Sequence, residues 1–185
     1  MIRPSLLALA AALAACSPPL ERVALMPLPS SVELRPLVSS VMVRTVTLPT
    51  YAAAEEVAFE AANGLIATNE DVLWADLPER GVTLVLTRNL ADILNVNVGP
   101  DPWPFVDLPD VSVDVRITRM VAGADGAFHL SGQYYVGGDR ISFRNTSDTF
   151  DISVPMTDLS LGSIATAQAA ALLELSEDIA RRLGR

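Results

Sequence analysis

The sequence has one cysteine, one histidine and no lysine among its 185 residues. A single cysteine, Cys16, excludes an intramolecular disulfide. A single histidine, His129, cannot build the usual zinc site, which needs several histidine or cysteine ligands. Because His129 stands between Phe128 and Leu130, we interpret it as an ordinary residue on the polar face of a strand. We therefore expect no metal and no cofactor.

The chain is acidic. The formal net charge is −9, and all 13 basic residues are arginines. An acidic chain binds nucleic-acid phosphates poorly and gains nothing from the negative surface of anionic lipids. We expect no nucleic-acid partner and no electrostatic docking to a bilayer. The charge does not bear on the binding of lipid tails.

Catalytic motifs are also missing from the sequence. It contains no Gly-x-Ser-x-Gly elbow, no phosphate-cradling glycine loop before a helix and no Cys-x-x-Cys pair. Three carboxylate pairs could in principle perform acid–base chemistry, but a turn, a helix cap or a solvated face explains each more simply. These pairs are Asp107/Asp110, Glu55/Glu56 and Asp76/Glu79. We predict no catalytic residue and no enzymatic activity.

The N-terminus has the pattern of an export signal. A basic residue precedes the apolar residues 6–13, a run too short to span a ~30 Å hydrocarbon core as a helix. Leu13-Ala14-Ala15-Cys16 then resembles the lipobox of bacterial lipoproteins. We predict that residues 1–15 are removed and that Cys16 is lipidated; a plain signal with an incidental cysteine is the alternative. Two or three acyl chains anchor a protein firmly. Ser17, in place of the aspartate typical of inner-membrane retention, favours the periplasmic face of the outer membrane.

Residues 16–40 are rich in proline and serine, which favours an extended, flexible tether. At ~3.3 Å per residue, this tether would reach roughly 80 Å from the membrane. Alternatively, Val23-Ala24-Leu25-Met26 pairs as an edge strand and shortens the reach. We assign residues 41–185 to a single domain, because the mature length of about 170 residues suffices for one core and rarely for two.

Strand patterns dominate the middle of the chain. Residues 41–49 are β-branched and end in proline, which predicts a strand. Residues 51–62 have helical propensity, but Asn63-Gly64 favours a hairpin, which we expect. Residues 111–118 alternate between apolar and polar without error. Two more strands follow, and a change of parity predicts a bulge or break at residues 145–147.

Two helices complete the predicted fold. Asp76, Pro78 and Glu79 suggest a capping box that opens a helix ending near residue 94. A long apolar face, ending at Gly184, predicts a second helix at the end of the chain. The sum is an α+β fold: an antiparallel or mixed sheet with two helices packed on one face, preceded by the lipidated tether.

Two tryptophans stand out because aromatic residues make up only 5% of the chain. Trp74 precedes the first predicted helix, and Trp103 lies among prolines. Anchoring in the core is the simpler interpretation of both. The alternative is that Trp74 and Trp103 mark a surface for a partner or a ligand.

Six segments of the chain, in order, resemble the ABC-type transport auxiliary lipoproteins, the PqiC-like family. The segments are residues 46–51, 74–78, 89–94, 102–104, 113–118 and 175–180. Two positions depart from the family pattern. The tyrosine pair that often follows the lipidated cysteine is missing, and Asp76 replaces the usual glutamate of the tryptophan motif.

The resemblance implies a non-enzymatic periplasmic subunit that works with an MCE-domain protein in moving phospholipid between the inner and outer membranes. Homo-oligomers are compatible with this role. Two alternatives belong to other classes: a carrier that opens its sheet–helix interface for acyl chains, and a small envelope hydrolase. The sequence does not indicate the lipid species, the direction of transport or the partner-facing surface.

Overall fold

The computed structural model describes residues 21–138 and 143–185. The predicted signal peptide, Cys16 and Ser17 lie outside these residues. The described part is an α+β fold, as expected, with one mixed sheet and two long helices on one of its faces. In chain order the elements are β1 (Glu21–Val23), β2 (Ser40–Val43), α1 (Thr50–Ala53), β3 (Glu56–Glu60), β4 (Ile66–Trp74), α2 (Pro78–Leu94), β5 (Asn97–Pro100), β6 (Val111–Ala122), β7 (Ala127–Gly137), β8 (Thr146–Pro155) and α3 (Leu161–Leu183).

The long strands β6, β7 and β8 form an antiparallel meander. Alternate side chains from Val111 to Ile117 of β6 are buried, as the alternating pattern predicts. The turn between β6 and β7 uses Gly126, whose φ of 83° favours glycine. The bulge lies in β6, where the register shifts between Ile117 and Arg119. Thr118 and Arg119 are both exposed there, so the next buried side chain after Ile117 is that of Met120.

Of the bulge or break predicted at residues 145–147, the paired strand has no bulge, but the strand structure is interrupted there, because β8 begins only at Thr146. The register between β7 and β8 is regular from Thr146 to Pro155. Residues 143–145 precede β8 without belonging to a strand, so the change of parity reflects a later strand start. Residues 139–142, where an earlier start was expected, lie outside the described residues.

The other edge of β6 is shared by two groups of short strands. β2 pairs in parallel with the first residues of β6, and β5 pairs in parallel with β2. β3 pairs with the last residue of β6, where Phe59 lies opposite Ala122. β4 continues antiparallel to β3, and β1 pairs in parallel with β4. The strand path β1–β4–β3–β6–β2–β5 therefore has β1 and β5 at its two ends.

The predicted hairpin at Asn63-Gly64 is confirmed as β3 and β4, with Gly64 at φ 77°. The helical propensity of the preceding residues survives only as α1, a single turn that gives the fold a third helix. The Ala52 N–H donates to the Pro49 carbonyl at 2.8 Å and closes this turn.

Helix α2 begins with Pro78, as predicted, but the expected capping box is wrong. The N-cap residue is Leu77, and no side chain caps the helix. Asp76 lies one residue too early; its carboxylate accepts from the Leu77 N–H at 2.9 Å and pairs with Arg80. Asn95 ends the helix in a left-handed conformation, and the following residues form β5 rather than a simple exit loop.

Helix α3 covers β7 and β8 and packs against α2. Its N-cap Ser160 accepts from the Ser163 N–H, and Ile164, Leu172 and Leu175 are buried on its predicted face. Gly184 follows the helix as predicted, but it is extended, so it does not form the left-handed cap. No helix in residues 21–138 or 143–185 is long and apolar enough to cross a membrane.

Residues 24–39 form a strap that runs from β1 to β2 across the ends of both long helices. The Leu34 N–H donates to the Ile93 carbonyl at 3.1 Å, and the Leu37 N–H donates to the Leu183 carbonyl at 2.8 Å. Val32 and Leu34 pack partly buried against the core. Of the edge strand proposed for Val23-Ala24-Leu25-Met26, only Val23 pairs, as the last residue of β1. Residues 24–39 are not a free extended tether, because Leu25, Val32 and Leu34 pack against the core.

Candidate interaction surfaces

An apolar groove lies between the start of the strap and the first turns of α2. Its volume is about 380 Å³, within the range of ~300–1,000 Å³ that small-molecule sites occupy. Apolar side chains make most of its walls: Val23, Leu25, Pro27, Trp74, Leu84 and Val85. We call this feature the β1 groove, because β1 holds its strap side in place through the parallel pairing with β4.

The charged residues around the β1 groove are paired with one another. Arg22 donates to Glu55 at 3.3 Å and to the Trp74 carbonyl at 3.0 Å. Asp76 pairs with Arg80, and Arg88 pairs with Asp92 at 3.0 Å. These arginines are largely exposed, so each ion pair adds little stability. Their effect at the groove is to balance the local charge rather than to leave a free cation for an anionic ligand.

One polar side chain from α3 reaches the floor of the β1 groove. Gln168 is only 2% exposed and lines the groove. Its amide can donate and accept hydrogen bonds, so it offers a polar contact to a ligand in the groove. The β1 groove thus combines mostly apolar walls with three polar side chains, Asp76, Arg88 and Gln168.

The second surface is the loop of residues 101–110 between β5 and β6, which we call the β5–β6 loop. The ring of Trp103 lies 4.8 Å from that of Phe105, centroid to centroid, and its indole N–H donates to the Asp107 carbonyl. Phe105 and Leu108 are exposed, and Val106 is fully exposed. Exposed apolar residues that lie side by side mark contact sites more often than scattered ones do.

Close contact with β5 holds the base of this loop. A Cβ atom on Gly99 would lie 2.7 Å from the Cδ atom of Pro104, so only glycine allows this approach. The Asp110 carboxylate accepts from the Ser39 N–H at 2.7 Å, and the Asp110 N–H donates to the Ser40 hydroxyl at 2.9 Å. The loop is fixed at both ends while its apolar tip faces solvent.

The two surfaces belong to strand groups that meet β6 at different points along its length. The β5–β6 loop follows β5, which pairs with β2 beside the first residues of β6. The β1 groove adjoins β1, which belongs to the β3–β4 group that meets β6 at Ala122. Val111 and Ala122 are eleven residues apart, or roughly 36 Å along the strand.

The sequence-predicted residues fall into different places. Trp74 is 8% exposed, so it is a core residue that also lines the β1 groove, whereas Trp103 belongs to the β5–β6 loop. The structure does not bring the three carboxylate pairs together: Glu55 and Asp76 are engaged by arginines, and Asp110 holds the loop. In the described part of the chain, no group of three or more potential metal ligands occurs.

His129 lies on the outer face of β7, as predicted, but it is less solvated than expected. Its side chain is 14% exposed, and its Nε2 atom lies 3.0 Å from both carboxylate oxygens of Asp125. The hydrogen bond from His129 lowers the pKa of the Asp125 carboxyl, and the Ala127 N–H adds to this effect. The pair closes the β6–β7 turn.

A family model matches residues 24–180 and is described as the ABC-type transport auxiliary lipoprotein component. The chain belongs to this family. The match covers the strap, every strand except β1 and nearly all of α3. It includes the β5–β6 loop and all of the β1 groove except Val23.

Solved structures share the fold of this family member. A crystal structure described only as an uncharacterized protein has 19% sequence identity and a TM-score of 0.70, and the alignment covers 89% of this chain and 100% of that chain. Protein XCC0632 from Xanthomonas campestris has 14% identity and a TM-score of 0.63, with 87% and 90% covered. At such low identity these likenesses establish the fold alone. No curated protein matches the sequence.

Sequence reasoning missed the β1 groove and the apolar tip of the β5–β6 loop. The groove depends on the strap, whose only sequence signal is the apolar stretch Val23-Ala24-Leu25-Met26. The loop carries a clearer signal, because Phe105, Val106 and Leu108 follow closely on Trp103 in a proline-rich segment that cannot form a regular buried element.

Proposed function

We propose that this family member is an outer-membrane-anchored periplasmic lipoprotein that acts, without catalysis, as an accessory subunit of an intermembrane phospholipid transport system. Membership in the transport auxiliary lipoprotein family supports the general role. The further assignments to phospholipid, to the outer membrane and to an MCE-domain partner are our proposal, and they rest on the sequence resemblance.

One observation carries the proposal that the protein acts by contact. The β5–β6 loop presents Phe105, Val106 and Leu108 to solvent from a base that is fixed by hydrogen bonds. A fixed apolar tip loses little conformational entropy on binding, and aromatic residues are enriched at interface centres. We propose that Trp103 and this tip bind the MCE-domain protein.

The partner is tested by a pull-down of the tagged, lipidated protein from detergent-solubilised envelopes. We expect mass spectrometry to identify an MCE-domain protein. Because charge in a desolvated apolar contact is costly, Val106→Asp should reduce its recovery about tenfold. Leu65→Asp, which changes an exposed leucine at the β3–β4 hairpin, is the matched control. Equal recovery with Val106→Asp would remove the loop from the proposal, and absence of any MCE-domain protein would contradict the proposed partner.

Two separate experiments test the lipid anchor and the membrane in which it is inserted. Cys16→Ser should release the protein from membranes after a high-salt wash, because the acyl chains supply the attachment. Density-gradient separation of the two membranes should place the native protein in the outer-membrane fraction. Sedimentation of the Cys16→Ser variant with membranes would contradict lipid anchoring. Recovery of the native protein in the inner-membrane fraction would contradict the proposed outer-membrane localisation.

A further inference from the structure

The β1 groove lies close to the predicted lipid anchor. Only four residues lie between Cys16 and Glu21, the first residue of β1. Even in a fully extended chain, the five steps from Cys16 to Glu21 span at most ~18 Å. If Cys16 is lipidated, as proposed above, β1 cannot lie farther than this from the membrane surface.

Hydrogen bonds hold β1 in place, so the distance between Cys16 and the folded domain cannot increase unless these bonds break. β1 pairs with β4 from Glu21 to Val23, and the Ala75 N–H donates to the Val23 carbonyl at 2.9 Å. Arg22 adds bonds to Glu55 and to the Trp74 carbonyl. Releasing β1 would break these bonds and open the side of the groove that Val23 and Leu25 form.

The edge of the molecule held near the membrane is apolar. Met26, Leu77 and Leu84 are exposed and stand in or directly beside the β1 groove. Leu77 occupies the N-cap of α2, a position where serine, threonine, asparagine and aspartate stabilise helices and leucine does not. Helix stability therefore does not explain an exposed leucine at this position, whereas contact with an apolar phase does.

The charge around the groove indicates which lipid surface it fits. Arg22, Arg80 and Arg88 are each paired with a carboxylate, so no cation at this rim is free to attract anionic headgroups. Electrostatic attraction to anionic lipid needs such free basic residues. The surface instead fits the acyl region of a bilayer of zwitterionic phospholipid.

We propose that the β1 groove is the membrane-facing side of this lipoprotein. Met26, Leu77 and Leu84 contact the acyl region of the bilayer that holds the anchor, and lipid chains reach into the groove beside Trp74. The β5–β6 loop, which lies beside the first residues of β6 and not beside the β3–β4 hairpin, then faces the periplasm.

The two tryptophans give a direct test, because one lies at each surface. The lipidated protein is reconstituted into phosphatidylcholine vesicles whose acyl chains carry bromine, a contact quencher of tryptophan fluorescence. Trp103→Phe leaves Trp74 as the reporter of the groove, and Trp74→Phe leaves Trp103 as the reporter of the loop. We expect brominated lipid to quench Trp74 and to leave Trp103 unaffected, compared with vesicles of unbrominated lipid.

A second variant tests the contact with little risk to folding. Leu77→Asp, made in the Trp103→Phe background, places a favourable N-cap residue on α2 but a carboxylate in the proposed lipid contact. Because charge is costly in the acyl region, the quenching of Trp74 should fall by about half or more. Leu65→Asp in the same background is the matched control and should leave the quenching unchanged.

Three outcomes would overturn the proposal. Quenching of Trp103 without Trp74 would turn the loop, rather than the groove, toward the membrane. Co-flotation of protein and vesicles with neither tryptophan quenched would show that the domain stands away from the bilayer. Failure of the native protein to float with vesicles would overturn the proposed anchor as well, which distinguishes that failure from the other two.

Discussion

The two faces of the β6–β7–β8 meander differ most clearly at two neighbouring tyrosines. Tyr134 points toward the helices, is fully buried and donates its hydroxyl to the Asp178 carboxylate of α3 at 2.8 Å. Tyr135 points outward, donates to Gln133 on its own strand and lies 5.0 Å below the Arg116 guanidinium. The inner residue joins two elements, whereas the outer residue contacts its own strand and the strand beside it.

This difference shows which parts of the molecule are available for binding. The inner face is occupied by the core, which Leu86, Leu172 and Leu175 fill from the helices without exposure. Outer-face charges such as Asp114 and Arg116 satisfy each other at 2.9 Å. The exposed apolar surfaces lie at the edges of the sheet instead, in the β1 groove and the β5–β6 loop. Binding at an edge leaves the core undisturbed.

The largest expected effect concerns two leucines on one helix. Leu86 of α2 is 0% exposed and Leu84 is 38% exposed. Leu86→Ala should lower the free energy of unfolding by about 2–5 kcal/mol, because it leaves a cavity in the core. Leu84→Ala should cost much less, since its side chain already meets solvent. Urea unfolding followed by circular dichroism measures both, and equal losses would mean that the groove wall belongs to the core.

The next effect compares the tyrosines themselves. Tyr134→Phe removes a hydrogen bond to a carboxylate and should cost about 1–3 kcal/mol. Tyr135→Phe keeps the ring beneath Arg116 and should change stability by no more than ~0.5 kcal/mol. Denaturant unfolding of the two variants under identical conditions is the measurement. A Tyr135→Phe loss as large as that of Tyr134→Phe would contradict the distinction between the faces.

The smallest effect appears at alkaline pH. Burial raises the pKa of Tyr134 above its ordinary value, and the bond to Asp178 raises it further. The unfolded chain therefore loses this proton first, so the stabilisation is complete below about pH 10 and is lost as the pH rises toward the folded-state pKa. One proton limits the slope to ~1.36 kcal/mol per pH unit. Unfolding measured between about pH 9 and about pH 11 should decline less steeply for Tyr134→Phe than for the native chain. Parallel declines would show that Tyr134 does not contribute.

The elements that were predictable from the sequence are those that local pattern determines. The alternation in β6, the apolar face of α3 and the turn at Asn63-Gly64 each specify structure within a few residues. The bulge in β6 could also have been predicted, because Thr118 and Arg119 interrupt the alternation, but the sequence analysis predicted no bulge in this strand.

The parallel pairings were not predictable in the same way. β1 joins β4, and β2 joins β5 and β6, across long separations in sequence. β5 contains Gly99 and Pro100, which favour a loop, and becomes a strand only because β2 lies beside it. Such pairings depend on tertiary context, which propensity does not include. The β1 groove was not predictable for the same reason, because β1 forms one of its walls.

The direction of β1 has a mechanical consequence. If the protein is held at Cys16, a pull on the domain acts first on Glu21 and then along β1. A pull parallel to the strand loads the hydrogen bonds to β4 in shear, so they share the force and do not open one after another. Beyond β1, the force meets the strap, where Arg35 and Arg185 exchange backbone hydrogen bonds of 2.9 Å in both directions. The β1–β4 hydrogen bonds therefore carry tension from the anchor into the sheet, and the Arg35–Arg185 bonds of the strap are loaded directly only after β1 has been pulled away.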